Sequence, residues 1–188
     1  MKTILILEDN DERIAAFQET AALLGEDFAL NVWRDAPSMI AECEEFFPAA
    51  ALISLDHDLN PMPGATMDPG TGLDVARFLG DFLPVCPVLL HSSNVERVYS
   101  MLNELRFAGW TVDRVGPLGS DWIQTSWRKA ARRFLEQNAN TWNAILPADQ
   151  PSSMKYFGPA SRSFGSNTRM AGCPSTRPGT RRQSLTLA

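Results

Sequence analysis

The stretch ISLDHDLN, residues 53–60, places two acidic residues and a histidine directly after three apolar or small residues. Together with the preceding AAL it predicts a short buried strand over residues 50–55. Carboxylates this close repel each other, and each loses hydration when it leaves water. Two carboxylates and an imidazole at the end of a buried strand therefore indicate a functional site.

Short apolar runs alternate with helical patterns on both sides of this stretch. Strands are predicted over residues 3–8, 28–33, 50–55, 85–90 and 110–115. Helices are predicted over residues 10–24, 37–47, 71–82, 95–107 and 121–136. This alternation indicates an α/β fold with a parallel sheet covered on both faces. We predict a doubly wound five-stranded sheet of flavodoxin-like order 2-1-3-4-5, with ligands at the carboxyl ends of its strands.

Charge divides the chain into two parts. Residues 1–150 contain all 22 acidic residues and 11 of the 17 basic residues, whereas residues 151–188 contain six basic residues and no acidic one. We predict an α/β domain over residues 1–140 and a disordered, basic, Ser/Gly/Pro/Arg-rich tail over 141–188. The tail either binds RNA or a membrane or is a solvated extension. An acidic body does not attract nucleic acid by its overall field, so a metal or a few aimed donors must meet any phosphate locally.

Several classes of protein are excluded by composition. No apolar run approaches the ~20 residues that a membrane span needs, and the N-terminus resembles a first strand more than a signal peptide. The three cysteines, Cys43, Cys86 and Cys173, are far apart and form no CxxC pair. We therefore expect a reduced, cytoplasmic protein without a disulfide framework, in which Cys86 is a core thiol.

Polar residues collect where three of the predicted strands end. They are Glu8 and Asp9 after strand one, Asp56, His57 and Asp58 after strand three, and His91, Ser92, Ser93 and Asn94 after strand four. In the predicted order, strand three lies between strands one and four, so all three groups meet at one rim. Because alternate residues of a strand point the same way, Asp56 and Asp58 can face one site, with Glu8 or Asp9 opposite.

These residue types favour phosphoester chemistry. Three or four carboxylates around one point require a counter-charge, which Mg²⁺ or Mn²⁺ supplies through oxygen ligands. The alternative is that the acids cap helices, and for Asp9 and Asn10 both interpretations stay open. The two histidines suit general acid–base catalysis near neutral pH. Hydroxyls and N–H groups at residues 92–94, just before a helix, can cradle a phosphate.

The layout resembles the response-regulator receiver fold. Glu8 and Asp9 correspond to the acidic metal pair of receivers, Asp56 to their phosphoacceptor, and Ser92 to a conserved hydroxyl position. The stretch DHDLNPMPG is loosely similar to their Asp-x-x-Leu-Pro-Gly pattern. Receivers also carry a Lys before a Pro after strand five, where it contacts the acyl phosphate. Here Gly116 occupies that position, which argues against an ordinary phosphorylation switch.

A fuller resemblance, over residues 2–135, is to the cyclic-phosphate processing receiver domains. It is carried by the acidic pair after strand one and by SLDHDL, TGLDVARFL and HSSN. This resemblance implies action on cyclic phosphate ends of nucleic acids, such as the 2′,3′-cyclic phosphates of RNA.

From this resemblance and the residues we expect metal-dependent hydrolysis of cyclic phosphates. The expected metal ligands are Glu8, Asp9 and Asp56, with Asp58 as a further ligand or as the residue that orients a histidine. His57 and His91 are expected to share the base and acid roles in an order left open. Phosphate oxygens would bind Ser92, Ser93 and Asn94. The alternative is a divergent, non-enzymatic receiver that signals by docking a protein partner.

Overall fold

The computed structural model describes residues 1–25 and 27–145, with the backbone alone over 138–145. Its centre is a five-stranded, all-parallel sheet of order β2-β1-β3-β4-β5. The strands are β1 (Lys2–Leu7), β2 (Phe28–Trp33), β3 (Ala50–Leu55), β4 (Val88–His91) and β5 (Val112–Val115). The predicted fold class and strand order are confirmed.

Five α-helices connect and cover the strands. They are α1 (Asp11–Ala22), α2 (Ala36–Glu42), α3 (Gly72–Leu79), α4 (Val95–Phe107) and α5 (Arg128–Ile145). The side chains of Asn10, Asp35 and Asn94 each cap a helix by accepting the main-chain N–H three residues later. Within the described ranges, no helix has both the length and the apolar character needed to cross a membrane.

Two predicted helices differ from the observed ones. The second ends as an α-helix at Glu42 and continues as a 3₁₀ segment, Cys43–Ala49, because Pro48 cannot donate a helical hydrogen bond. The last begins with a π-helical turn, Ile123–Trp127, and α5 then runs on to Ile145. Residues 141–145, which were assigned to the tail, are therefore helical, and the rest of the predicted tail lies outside the described residues.

Successive residues of each strand point to opposite faces of the sheet, so the core has one part on each face. Ile4 and Ile6 pack on one face of the sheet with residues of α1 and the 122–135 segment. Leu5 and Leu7 pack on the other face with residues of α2, α3 and α4. The first face continues past the strand ends at positions of the same parity, which are Glu8 after Ile6, Asp56 after Ser54, and His91 after Leu89.

Cys43 and Cys86 are free thiols in the core on the α2–α4 face. Burial raises the pKa of Cys43 to about 11 and raises that of Cys86 as well. A thiol with a raised pKa is a poor nucleophile at neutral pH, so Cys86 is a packing residue, as the sequence predicts.

The long loop after β3 is closed at its base by main-chain contacts. Asp58 and Thr71 form an isolated antiparallel bridge, and the Gly72 N–H donates to the His57 carbonyl at 3.1 Å. The approach is so close that a Cβ at Gly72 would lie 2.0 Å from the Asp56 carbonyl oxygen. The glycine of the TGLDVARFL motif therefore lets α3 begin directly against the residues that follow β3.

Replacing Gly72 with alanine should destabilise the fold, although alanine is the better helix former. The added methyl must displace the main chain at Asp56, and we expect the free energy of unfolding to fall by about 1–3 kcal/mol or more. Urea unfolding of the variant measures this loss.

Gly116→Ala is the matched control for Gly72→Ala. A Cβ at Gly116 meets nothing closer than a Leu118 side-chain atom at 3.8 Å, so the free energy of unfolding should stay within about 0.5 kcal/mol of the parent value. Equal stability of the two variants would show that the contact at Gly72 is not tight.

Candidate active site

Two carboxylates follow neighbouring strands at the same level of the sheet. β1 and β3 pair with Leu7 opposite Leu55, so Glu8 and Asp56 come next on their strands. Glu8 is 0% exposed and Asp56 is 3% exposed. One carboxyl oxygen from each of Glu8, Asp9 and Asp56 lies within 4.8 Å of the other two. The structure thus brings together the three acids that the sequence suggested as metal ligands.

The two buried acids have pKa values that move in opposite directions. Burial raises the pKa of Asp56, and the charge of Glu8 adds to this effect. Burial also acts to raise the pKa of Glu8, but His91, the Asn10 N–H and Arg13 together outweigh it and lower that pKa. Arg13 Nη1 lies 3.2 Å from Asp56 Oδ2 and 3.6 Å from Glu8 Oε2. One guanidinium thus serves two buried carboxylates.

The acid cluster, defined as Glu8, Asp9 and Asp56, fits a hard divalent cation. Glu8 Oε2 is buried and has no hydrogen-bond partner among the described residues. His91 Nε2 lies 3.4 Å from this oxygen, and the two atoms do not form a hydrogen bond. A buried oxygen without such a bond is costly unless an ion or ligand satisfies it. Three converging carboxylates are also the donors that Mg²⁺ and Mn²⁺ prefer.

Asp9 is held from the loop after β3. Its Oδ2 accepts the Asn60 main-chain N–H at 2.8 Å and the Asn60 Nδ2–H at 2.9 Å. Arg34 Nη1 donates to the Asp9 carbonyl at 3.0 Å. Asn10 caps α1 by accepting the N–H of Arg13 at 3.0 Å. Of the two roles left open for this pair, Asn10 therefore takes the cap and Asp9 lies in the acid cluster.

A cleft of about 430 Å³ lies between α2 and the loop after β3. Arg34 and Asn60, which hold Asp9, also line it, together with Pro37, Met62 and Met67. This volume is within the range of small-molecule sites. The cleft adjoins the acid cluster through those two shared residues.

His91 belongs to a buried line of polar contacts. Its Nδ1 is 2.8 Å from Ser54 Oγ, which also accepts the Trp127 indole N–H at 2.9 Å. Because the indole can only donate, the Ser54 hydroxyl hydrogen is free to donate to His91 Nδ1. A neutral His91 then carries its proton on Nε2, the nitrogen that faces Glu8. The line runs from Trp127 through Ser54 and His91 to Glu8.

Aromatic rings enclose His91. The ring of Phe17 is 5.1 Å from it and the ring of Trp122 is 5.7 Å from it, centroid to centroid. The side chain of His91 is 0% exposed. Its described polar contacts are Ser54 on one side and Glu8 on the other. His91 therefore contacts the acid cluster through Glu8, and its charge also acts to lower the pKa of Asp56.

His57 and Asp58 form a separate pair. His57 Nδ1 is 2.8 Å from Asp58 Oδ1. An ionised carboxylate only accepts, so Nδ1 carries the proton and Nε2 of the neutral ring has the lone pair. Asp58 does not belong to the group formed by Glu8, Asp9 and Asp56. β3 ends at Leu55 and the chain turns toward Thr71, so strand alternation does not carry Asp58 to the side of Asp56.

The residues after β4 lead into a helix N-terminus. Asn94 caps α4 by accepting the N–H of Arg97 at 3.3 Å. Ser92 is buried, and its Oγ accepts the N–H of Asn94 at 3.2 Å. Ser93 is exposed. The side chains of Ser92 and Asn94 thus already shape the turn, whereas the hydroxyl of Ser93 faces solvent.

Three site residues escaped the sequence analysis, namely Arg13, Ser54 and Trp127. Arg13 had a detectable signal, because it lies on the first turn of α1 immediately after the acidic pair. Ser54 had a weaker one, as the hydroxyl residue within the apolar run AALISL. The contact of Trp127 with Ser54 joins positions 73 residues apart and had no local signal.

Comparison with known proteins identifies the family and supports the fold. A family model described as the cyclic-phosphate processing receiver domain matches residues 4–107. No individual curated protein matches the sequence significantly.

Solved receiver domains share the fold. One from Rhodospirillum rubrum superposes with a TM-score of 0.51 at 16% identity, covering 73% of this chain and 94% of that one. One from Clostridium thermocellum gives 0.55 at 11% identity, covering 75% and 99%. NtrX from Brucella abortus gives 0.55 at 19% identity, covering 77% of this chain and 29% of its own. At these identities the likeness establishes the fold alone.

Ser54→Ala should lower stability more than an ordinary surface change. The substitution leaves the buried Trp127 indole N–H and His91 Nδ1 without their partner, and each unsatisfied group costs about 1–3 kcal/mol. We expect guanidinium unfolding to show a loss of at least about 2 kcal/mol.

Ser100→Ala is the matched control for Ser54→Ala. Ser100 lies on α4, where its hydroxyl donates to the Glu96 carbonyl in an exposed hydrogen bond, so its loss should stay within about 0.5 kcal/mol. If both serine variants lose the same free energy of unfolding, the hydrogen bonds of Ser54 with Trp127 and His91 do not stabilise the protein.

Proposed function

This chain belongs to the family of cyclic-phosphate processing receiver domains, and we propose that it hydrolyses cyclic phosphate esters, such as the 2′,3′-cyclic phosphate ends of RNA, with a divalent cation. The observation that carries the proposal is the acid cluster. Its three carboxylates converge, and one buried oxygen, Glu8 Oε2, has no hydrogen-bond partner among the described residues. A site of this kind is suited to a cation and a phosphate together.

The proposed reaction opens the ring of the cyclic ester. The oxygen of a water molecule attacks phosphorus, and one of the two ring P–O bonds breaks. The water gives its proton to a base, and the departing sugar oxygen takes a proton, so the product is a phosphomonoester. A bound Mg²⁺ or Mn²⁺ would stabilise the negative charge that develops on the phosphate oxygens.

We assign the base role to His57. Asp58 accepts from its Nδ1 at 2.8 Å, which leaves Nε2 of the neutral ring as a proton acceptor. Asp58 therefore orients the histidine in this proposal and is not a metal ligand. In this proposal the exposed hydroxyl of Ser93, beside the N-terminus of α4, would contact a phosphate oxygen.

We assign a positioning role to His91. It is enclosed by aromatic rings and faces Glu8 at 3.4 Å. In this position it would hold the Glu8 carboxylate in place for a cation, and it would not exchange a proton with the substrate directly. Replacing His57 and replacing His91 would then impair different properties of the protein.

Binding of Mn²⁺ to the full chain tests the cluster without any substrate. Free Mn²⁺ counted by electron paramagnetic resonance should reveal one site, for which Mg²⁺ competes. Asp56→Asn removes a proposed ligand and should weaken Mn²⁺ binding at least about 10-fold.

Asp58→Asn is the matched control for Asp56→Asn, because it removes the same charge two residues away. It should change the affinity for Mn²⁺ less than about 3-fold, because Asp58 contacts His57 and lies outside the acid cluster. Absence of binding to the parent protein, or an equal loss in both variants, would contradict the cation site.

Hydrolysis of a 2′,3′-cyclic mononucleotide by the full chain tests the reaction. Product formation should require Mg²⁺ or Mn²⁺ and should stop with chelator. His57→Gln should lower kcat/KM by about 10²–10⁴-fold at unchanged Mn²⁺ affinity, because a general base contributes that much. His91→Gln should weaken Mn²⁺ binding as well, since it acts through Glu8.

A non-enzymatic receiver would give a different result in the same assays. Such a protein would form no phosphomonoester with any metal, yet would bind the cation and accept a phosphoryl group on Asp56 from a small phosphodonor. That outcome would reject the hydrolase and leave a signalling receiver.

A further inference from the structure

Basic side chains concentrate in one groove of this acidic domain. The groove has a volume of about 800 Å³ and runs between β5 and the segment that leads into α5. Five of the 11 basic residues among residues 1–150 line it: Arg114, Arg128, Lys129, Arg132 and Arg133. Its acidic lining residues are Asp113 and Glu136. We call this surface the basic groove.

Most of its positive charge is available to a partner. Arg133 forms a salt bridge with Asp113. Within the described part of the chain, the other four basic residues make no salt bridge with a carboxylate, and Arg114, Lys129 and Arg132 are exposed. Several unpaired cations on one surface repel one another and favour a polyanion. The groove therefore has the charge that the acidic body as a whole lacks.

The basic groove lies on the outer side of the segment that encloses His91. Trp122 and Trp127 of this segment face inward against Phe17, and Trp127 donates to Ser54. Thr125 and Ser126, between those tryptophans, line the groove. β5 also reaches the rim of the site, because its last residue, Val115, pairs with His91. The groove therefore runs from the edge strand β5 along α5, and its Arg132 donates to the Leu23 carbonyl at 3.5 Å, at the end of α1 that lies away from the acid cluster.

We propose that the basic groove binds the phosphate backbone of a single-stranded RNA whose cyclic phosphate end lies at the acid cluster. This inference rests on the proposed function and names the substrate class as an RNA strand in preference to a free cyclic nucleotide. RNA is the fitting polyanion because a 2′,3′-cyclic phosphate requires the 2′ hydroxyl that DNA lacks. The carboxylates of the cluster repel the rest of such a strand, so it needs a cationic surface nearby.

An aromatic contact at the groove suits a single strand. The guanidinium of Arg114 lies 5.1 Å from the ring centre of Tyr99, which is 50% exposed. An exposed ring beside a guanidinium can stack unpaired bases, whereas bases of a duplex are already stacked. An acidic protein segment would use the charges and leave this ring without a role.

The test measures binding of a fluorescent 12-nucleotide RNA by anisotropy, with chelator present so that no hydrolysis occurs. We expect binding that weakens with salt. The triple variant R128Q/K129Q/R132Q should lose at least about 10-fold in affinity at low salt. Its plot of log affinity against log salt concentration should be shallower by about 2, because each lost phosphate contact removes about 0.7 for a single strand.

The matched control is K2Q/R77Q/R97Q, which removes the same charge from exposed positions that do not line the groove. It should retain most of the affinity and the salt slope. Equal losses in the two triple variants, absence of RNA binding, or tighter binding of poly-glutamate than of RNA would overturn the inference. Tyr99→Ala should weaken RNA binding at an unchanged salt slope.

Activity separates this inference from the proposed function. The groove variant should hydrolyse a cyclic mononucleotide at the parent rate and lose activity on the cyclic end of the 12-nucleotide RNA. RNA binding that depends on the groove in a protein with no hydrolysis would reject the reaction and support the groove. Hydrolysis of both substrates at parent rates by the groove variant would reject the groove and support the reaction.

Discussion

Two carboxylates, Glu8 and Asp56, are buried side by side at the ends of adjacent parallel strands, and much of the surrounding structure compensates for this. Their burial and mutual repulsion both favour protonation, yet the pKa of Glu8 is lowered. Arg13 on α1 and His91 on β4 supply the compensating interactions. Neither neighbour gives Glu8 Oε2 a hydrogen bond, and this unsatisfied oxygen is the feature on which the proposed cation site rests.

This compensation extends through the core to the C-terminal helical segment. His91 is held by Ser54, and Ser54 is held by Trp127 on the π-helical turn. A π-helical turn alters the angular spacing of its side chains from that of an α-helix. Here both Trp122 and Trp127 point inward while Thr125 and Ser126 line the basic groove. One short segment therefore supports the candidate site on one side and forms part of the wall of the basic groove on the other.

The sequence predicts the parts of this arrangement that depend on chain periodicity. Alternating short strands and helices give the strand order, and the rule that parallel strands end at one rim brings Glu8, Asp9 and Asp56 together. It leaves the role of Asp58 open between a metal ligand and the residue that orients a histidine, because strand alternation stops at Leu55. It also misses the Trp127–Ser54 hydrogen bond and the π-helical turn, since both depend on packing between segments far apart in the chain rather than on local pattern.

The cationic side chains of this domain are unevenly distributed. Arg13 is the arginine in described contact with Glu8 and Asp56. Without a second cation the cluster repels phosphate, and a divalent ion would reverse that repulsion at one point. Five of the 11 basic residues among residues 1–150 lie instead in the basic groove between β5 and α5. Such a division favours a polyanion that is attracted along its length and engaged at its end only when the cation is bound.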